Sequence, residues 1–193
     1  FPTPIIGGLG LLENVGKATR SAFTEEGLAV GLLGADINGV DPHDLAGSEY
    51  LQWVHGRVEG SPKIDMHLEK RVQRACREAI EKGLISSAHD CSEGGLAVAL
   101  AECCIQGGIG FNGDFSVDDR WDVTLFGERQ SRVVVSLPEA SWQAFEALAE
   151  DFGVPTTKLG YTGGDRFNID GYCDVSVLQI RDVWNQGLEV AGG

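Results

Sequence analysis

The segment from Gly83 to Glu102, GLISSAHDCSEGGLAVALAE, limits the possible folds of this chain more than any other. A short apolar run, read as a strand over 83–89, ends in the polar turn Asp90-Cys91-Ser92-Glu93. Gly94 and Gly95 then open an amphipathic helix expected over 95–106, with Gly107-Gly108 as its stop. A strand that turns directly into a helix points the free N–H groups of the first helical turn at whatever occupies the turn.

The rest of the chain fits a layered arrangement around that unit. LAVGLLGAD at 28–36 is a continuous apolar run bounded by glycine, the pattern of a buried strand. NGVDPHD at 38–44 has strong turn chemistry. Leu68, Val72, Ala75, Cys76, Ala79 and Ile80 recur at three- and four-residue spacing, predicting a helix over 65–82 that stops at Gly83. Strands are expected at 5–12 (an entry strand), 123–127, 132–137, 156–161 and 175–180, and helices over 139–152 and 181–188. Helices and strands alternate without a strict βαβ rhythm. The expected fold class is therefore α/β, layered in the α+β manner, with a mixed sheet covered by helices.

Composition removes several function classes. With 15 Lys and Arg against 29 Asp and Glu, the formal charge of -14 repels nucleic-acid backbones and anionic lipid, so no nucleic-acid or membrane partner is expected. No apolar run approaches the ~18 residues of a transmembrane helix. The five cysteines form no C-x-x-C pair, so reduced thiols in a cytoplasmic protein are the simpler reading. Phe1-Pro2-Thr3-Pro4 reads as a linker without an initiator Met, as in a piece of a longer chain. Walker A, H-E-x-x-H and G-x-S-x-G patterns are all missing.

Three segments can carry chemistry. In the turn, Gly94 and Gly95 permit close backbone approach to an anion, Asp90 is a hard oxygen ligand of the type Mg²⁺ prefers, and Ser92 can donate to a phosphate. The competing reading has Asp90 or Ser92 simply capping the helix. His89 reads as a hydrogen-bonded structural histidine or a ligand-facing one. The second segment, Glu128-Arg129-Gln130-Ser131-Arg132, is either a ligand-facing junction or a solvated turn, with Arg132 suited to phosphate or carboxylate. The third, Gly160 to Arg166, loosely resembles a phosphate loop, but a Gly-Gly-Asp turn between strands is the simpler reading.

Taken in order, PTPIIGGLGLLENV (2–15), LAGSEYL (45–51), SPKIDMHLE (61–69), the 83–102 block, LFGERQSRVVV (125–135) and LGYTGGDRF (159–167) resemble the second half of the phosphoribosylformylglycinamidine synthases. That family is related to aminoimidazole ribonucleotide synthetase, selenophosphate synthetase, thiamine-phosphate kinase and a hydrogenase maturation factor. The resemblance implies a carboxyl-terminal domain over 16–193 like that of aminoimidazole ribonucleotide synthetase. Residues 1–15 would be a linker from an amino-terminal domain. It implies an ATP-dependent ligase acting on formylglycinamide ribonucleotide and glutamine-derived ammonia, with Mg²⁺ and ATP or ADP as cofactors. Its partners would be the amino-terminal half, a separate glutaminase subunit and a small accessory subunit. By the same resemblance Asp90 is a metal ligand, and Ser92, Gly94 and Gly95 contact nucleotide. Glu128, Gln130, Ser131 and Arg132 copy a substrate-binding segment of the first half, from which Arg129 departs by its bulk. Alone, the chain is expected to be inactive; the alternatives are a scaffold domain holding a structural nucleotide, or a superfamily relative such as a selenophosphate synthetase or thiamine-phosphate kinase.

Overall fold

A computed structural model describes residues 6–37, 41–117 and 120–190. The apolar run 28–36 forms β1 (Ala29–Gly34), in which every residue is buried. Burial on both faces is what a continuous apolar run predicts, and here helices cover the strand on either side. Ser48 caps α1 (Glu49–His55), and Gly56 ends it in the left-handed region. Asp65 accepts from the His67 and Leu68 amides to start α2 (Met66–Glu81), which buries Val72, Ala75 and Ala79. Then come β2 (Ser87–Asp90), α3 (Gly95–Gly107) and the short β3 (Phe111–Gly113). The remaining elements are α4 (Trp121–Phe126), β4 (Arg132–Leu137), α5 (Trp142–Asp151), β5 (Thr156–Thr162), β6 (Arg166–Ile169), β7 (Cys173–Ser176) and α6 (Val177–Val190).

The strands join in one mixed sheet ordered β2-β4-β1-β5-β3-β6-β7, in which only β3 and β6 pair in parallel among the described residues. Alternate residues of the central strands feed two cores, as strand geometry requires. Val30, Leu32 and Val134 pack with Leu96, Leu100 and Cys103 of α3, Leu125 of α4 and Val177 of α6. Leu33, Val135 and Leu137 pack with α2 and with Phe145 and Leu148 of α5. The sheet therefore lies between two helical layers. Gly34 at φ +118° shows how tightly its edge is drawn: a Cβ there would sit 2.0 Å from the Ser131 carbonyl oxygen.

Several expectations need correction. VTLFG at 123–127 is not a strand but most of α4. Val123, Thr124 and Leu125 are all buried, and a short apolar run of this kind cannot distinguish a buried strand from a buried helix. The strand expected at 175–180 stops at Ser176. There Ser176 Oγ accepts from the Gln179 amide at 3.2 Å while the Gln179 side chain accepts from the Ser176 amide at 3.0 Å. This is a capping box that turns the chain into α6. Residues 6–12 form no strand, and Ile6, Leu9 and Leu11 are exposed; residue 5 lies outside the described residues. A 3-10 turn at Pro42–Leu45 occupies the end of the expected loop, and residues 38–40 of that loop are also outside the description.

Candidate functional site

Two loops that are far apart in sequence meet at one end of the sheet. β2 and β4 are neighbours, and their register pairs Asp90 with Val133. The turn after β2 is thereby brought alongside the loop that leads into β4. With the first turns of α2 they enclose a cavity of about 450 Å³ lined by Asp90, Ser92, Glu93, Glu128, Gln130, Ser131 and Arg132. Glu69, Val72 and Gln73 of α2 form its remaining wall. The sequence reading missed this wall; its signal was the Glu69–Gln73 spacing of four on one helical face.

The turn is closed largely by its own groups. Gly94 at φ +77° and Gly95 at φ +70° both adopt the left-handed backbone that glycine tolerates, and a Cβ at Gly95 would lie 2.7 Å from the Gly127 oxygen. The Gly95 amide donates to the Ser92 carbonyl at 3.1 Å, and the Gly94 amide donates to Glu128 Oε1 at 2.8 Å. Neither the Asp90 nor the Ser92 side chain caps α3, whose start has no side-chain cap from the turn. Ser92 Oγ instead donates to Asp90 Oδ2 at 2.5 Å. The Asp90 side chain is 77% exposed and stands at the mouth of the cavity.

His89 faces the other way. Its Nε2 lies 3.2 Å from Glu102 Oε2 on α3, its Nδ1 lies 2.8 Å from the Asp90 carbonyl oxygen, and it does not line the cavity. The histidine thus ties β2 to α3.

The opposite wall is built on a buried cation. Arg132 is only 4% exposed, and its guanidinium donates to the backbone oxygens of Gly127 and, at 3.2 Å, Arg129. Burial pushes its pKa below the usual guanidinium range. No carboxylate forms an ion pair with it among the described residues. Ser131 is the one non-glycine residue with positive φ among those described, at 64°, and its hydroxyl donates to Glu69 Oε2 at 2.7 Å. Gln73 donates to Glu69 Oε1 at 2.7 Å, which orients that carboxylate. Gln130 is exposed at the rim, where its amide donates to the Glu128 carbonyl at 3.3 Å. Arg129 leans away toward Asp44 and the Asp36 carbonyl.

Of the five free cysteines, Cys91, Cys103 and Cys104 are buried, and burial pushes the Cys91 thiol up to about 11. Such thiols are poor nucleophiles and poor metal ligands. They contribute packing to the core between α3 and the sheet.

A mixed sheet between two helical layers, with a strand-to-helix turn carrying an exposed aspartate opposite a buried arginine, defines an α/β domain with a polar, charged cavity at the sheet end. Residues 25–170 match the family described as AIR synthase related protein, C-terminal domain, and the chain belongs to that family. It is 42% identical over 199 residues to the phosphoribosylformylglycinamidine synthase subunit PurL of Anaeromyxobacter sp. (strain Fw109-5), a match covering 97% of this chain and 25% of that protein. The PurL of Thermomicrobium roseum is likewise 42% identical, over 97% of this chain and 25% of its own length. The chain thus spans about a quarter of the relatives it matches. Among solved structures, Thermotoga maritima PurL complexed with FGAR superposes with a TM-score of 0.73 at 17% identity, covering 86% of this chain and 30% of that one. A thiamine-monophosphate kinase from Stenotrophomonas maltophilia superposes with a TM-score of 0.56 at 20% identity, over 81% of this chain and 54% of that one. At these identities the structures establish the shared fold.

Proposed function

We propose that this domain serves as the carboxyl-terminal quarter of a phosphoribosylformylglycinamidine synthase. The reaction converts formylglycinamide ribonucleotide, ammonia from glutamine and ATP into formylglycinamidine ribonucleotide, ADP and phosphate. The γ-phosphoryl group passes to the substrate's amide oxygen, and ammonia then displaces it as phosphate. The observation that carries the reading is the cavity in which the Asp90–Ser92 turn faces buried Arg132, in a chain 42% identical to PurL.

The residues have distinct tasks in this reading. Arg132 supplies positive charge held away from water, where it acts more strongly on a phosphate than an exposed cation does. Ser92 and Gln130 supply rotatable donors at the rim, and Gly94 and Gly95 shape the turn so that a bulky anion can approach. Mg²⁺ characteristically takes one or two carboxylates and completes its shell with phosphate oxygens and water. The exposed Asp90 carboxylate fits that demand. No group of three or more His, Cys, Asp or Glu is gathered for a metal among the described residues. The bound ion would supply charge neutralisation on the phosphates.

The remaining three-quarters of such an enzyme would provide the amino-terminal half, and a separate glutaminase and a small accessory subunit would deliver ammonia. A solved PurLQS assembly from Thermotoga maritima is among this domain's structural neighbours. No described helix is long and apolar enough to cross a membrane. Free thiols fit a cytoplasmic location.

The test is a chimera in which this domain replaces the matching quarter of Anaeromyxobacter PurL. ADP release that depends on both formylglycinamide ribonucleotide and ammonia is the expected result. A folded, assembled chimera without such release would defeat the reading. A second reading, a scaffold that holds nucleotide without turning it over, is favoured by the internal engagement of the Gly94 and Gly95 amides. Asp90→Asn separates the two. If the site is catalytic, turnover falls about tenfold or more with assembly intact; if it is a scaffold, assembly and thermal stability fall first.

A further inference from the structure

Glu128 lies in the loop between α4 and β4, where its own amide donates to the Asp44 carbonyl at 2.9 Å. A single carboxylate oxygen, Oε1, accepts from the Glu49 amide at 2.8 Å and from the Gly94 amide at 2.8 Å. Glu49 is the first residue of α1 and Gly94 the residue before α3, so two helix starts from distant parts of the chain share one anion. At Gly94 there is no side chain to cap the helix, and none comes from the turn. A carboxylate suits the task because both amides lie at the positive ends of helices, and hydrogen bonds to an ionised acceptor are about twice as strong as neutral ones.

We propose that Glu128 is a positioning residue. It pins the starts of α1 and α3 to the loop before β4 and so sets the distance between the Asp90–Ser92 turn and the Arg132 wall. This gives Glu128 a different task from the ligand contact implied by resemblance, because the oxygen in question is already engaged by the protein. The pin itself is independent of what the cavity binds; only the binding arm of the test rests on the nucleotide reading.

The experiment compares the full chain with E128Q and E128A by amide hydrogen exchange and by MgATP titration. In E128A the Glu49 and Gly94 amides exchange together, roughly tenfold faster, as for loss of a helix cap, while buried amides of β1 stay protected. E128Q keeps an acceptor oxygen without the charge, so its two amides fall between those of wild type and E128A. The MgATP dissociation constant rises about tenfold in E128A, and E128Q recovers most of the loss. Unchanged protection at Gly94, or acceleration of one amide without the other, would overturn the pin. If E128A unfolds, E128Q decides: the same two amides must accelerate ahead of the rest. Wild-type protein that binds no MgATP would count against the nucleotide reading, while the exchange arm still decides the role of Glu128.

Discussion

Two of the protein's concavities, similar in size and opposite in character, lie near α3, one ahead of its start and one along its flank. At its start lies the polar cavity of about 450 Å³ between the Asp90 turn and Arg132. Along its flank, Ala97, Ala101 and Ile105 line an apolar cleft of about 400 Å³ completed by Trp121, Phe126 and Trp184. The apolar cleft is lined by aromatic side chains, and Glu102, which His89 already engages, is the one charged side chain among its described lining residues. Volume alone therefore says little about chemistry; what separates the two is where buried polar groups have been retained at a cost to folding.

Arg132→Met tests that contrast with the largest effect. The substitution keeps most of the volume but removes the donors to the Gly127 and Arg129 carbonyls, and should destabilise the domain by about 2–3 kcal/mol in urea denaturation. MgATP affinity should fall with it. Unchanged stability would show that the arginine serves the ligand and not the fold.

Trp184→Ser makes the complementary change in the apolar cleft. Trp184 is 57% exposed, so the loss should stay under about 1 kcal/mol, with MgATP affinity unaltered. A drop in affinity would break the separation and show that α3 transmits a change from its flank to its start.

The smallest effect is expected at the entrance to α4. Arg120 donates to both Asp122 oxygens at 2.9 and 2.8 Å and holds that carboxyl below its ordinary value of 3.8. A lowered folded-state pKa gives stability that is present above the unfolded value and lost as pH falls through the folded one. Asp122→Asn should therefore cost a few tenths of a kcal/mol near neutrality, in the range ~0.2–1 for such pairs. The difference from wild type should vanish in strong acid. A difference independent of pH would assign the effect to packing of α4.

The elements legible in the sequence were those whose burial follows one unambiguous period. α2 shows its apolar stripe at helical spacing, and β1 shows an apolar run too short for most helices and bounded by glycine. VTLFG was not legible, since three buried residues in succession suit either state until packing against α3 decides. The start of α6 was legible in principle: Ser176 and Gln179 have the capping-box spacing, obscured by the apolar run around them.

The site divides in the same way. The sequence by itself determined that a strand-to-helix turn rich in glycine, with Asp90 and Ser92, exists in this chain, because those residues adjoin one another and the local backbone demands are their own. It also determined that Arg132 begins a strand. Only the tertiary structure decided that these two segments face each other, that α2 brings Glu69 and Gln73 to the same cavity, and that His89 turns away. It alone showed the Gly94 amide taken by Glu128. The reason is the pairing of β2 with β4: a register between strands is settled by long-range hydrogen bonds and shared burial, which no local pattern encodes.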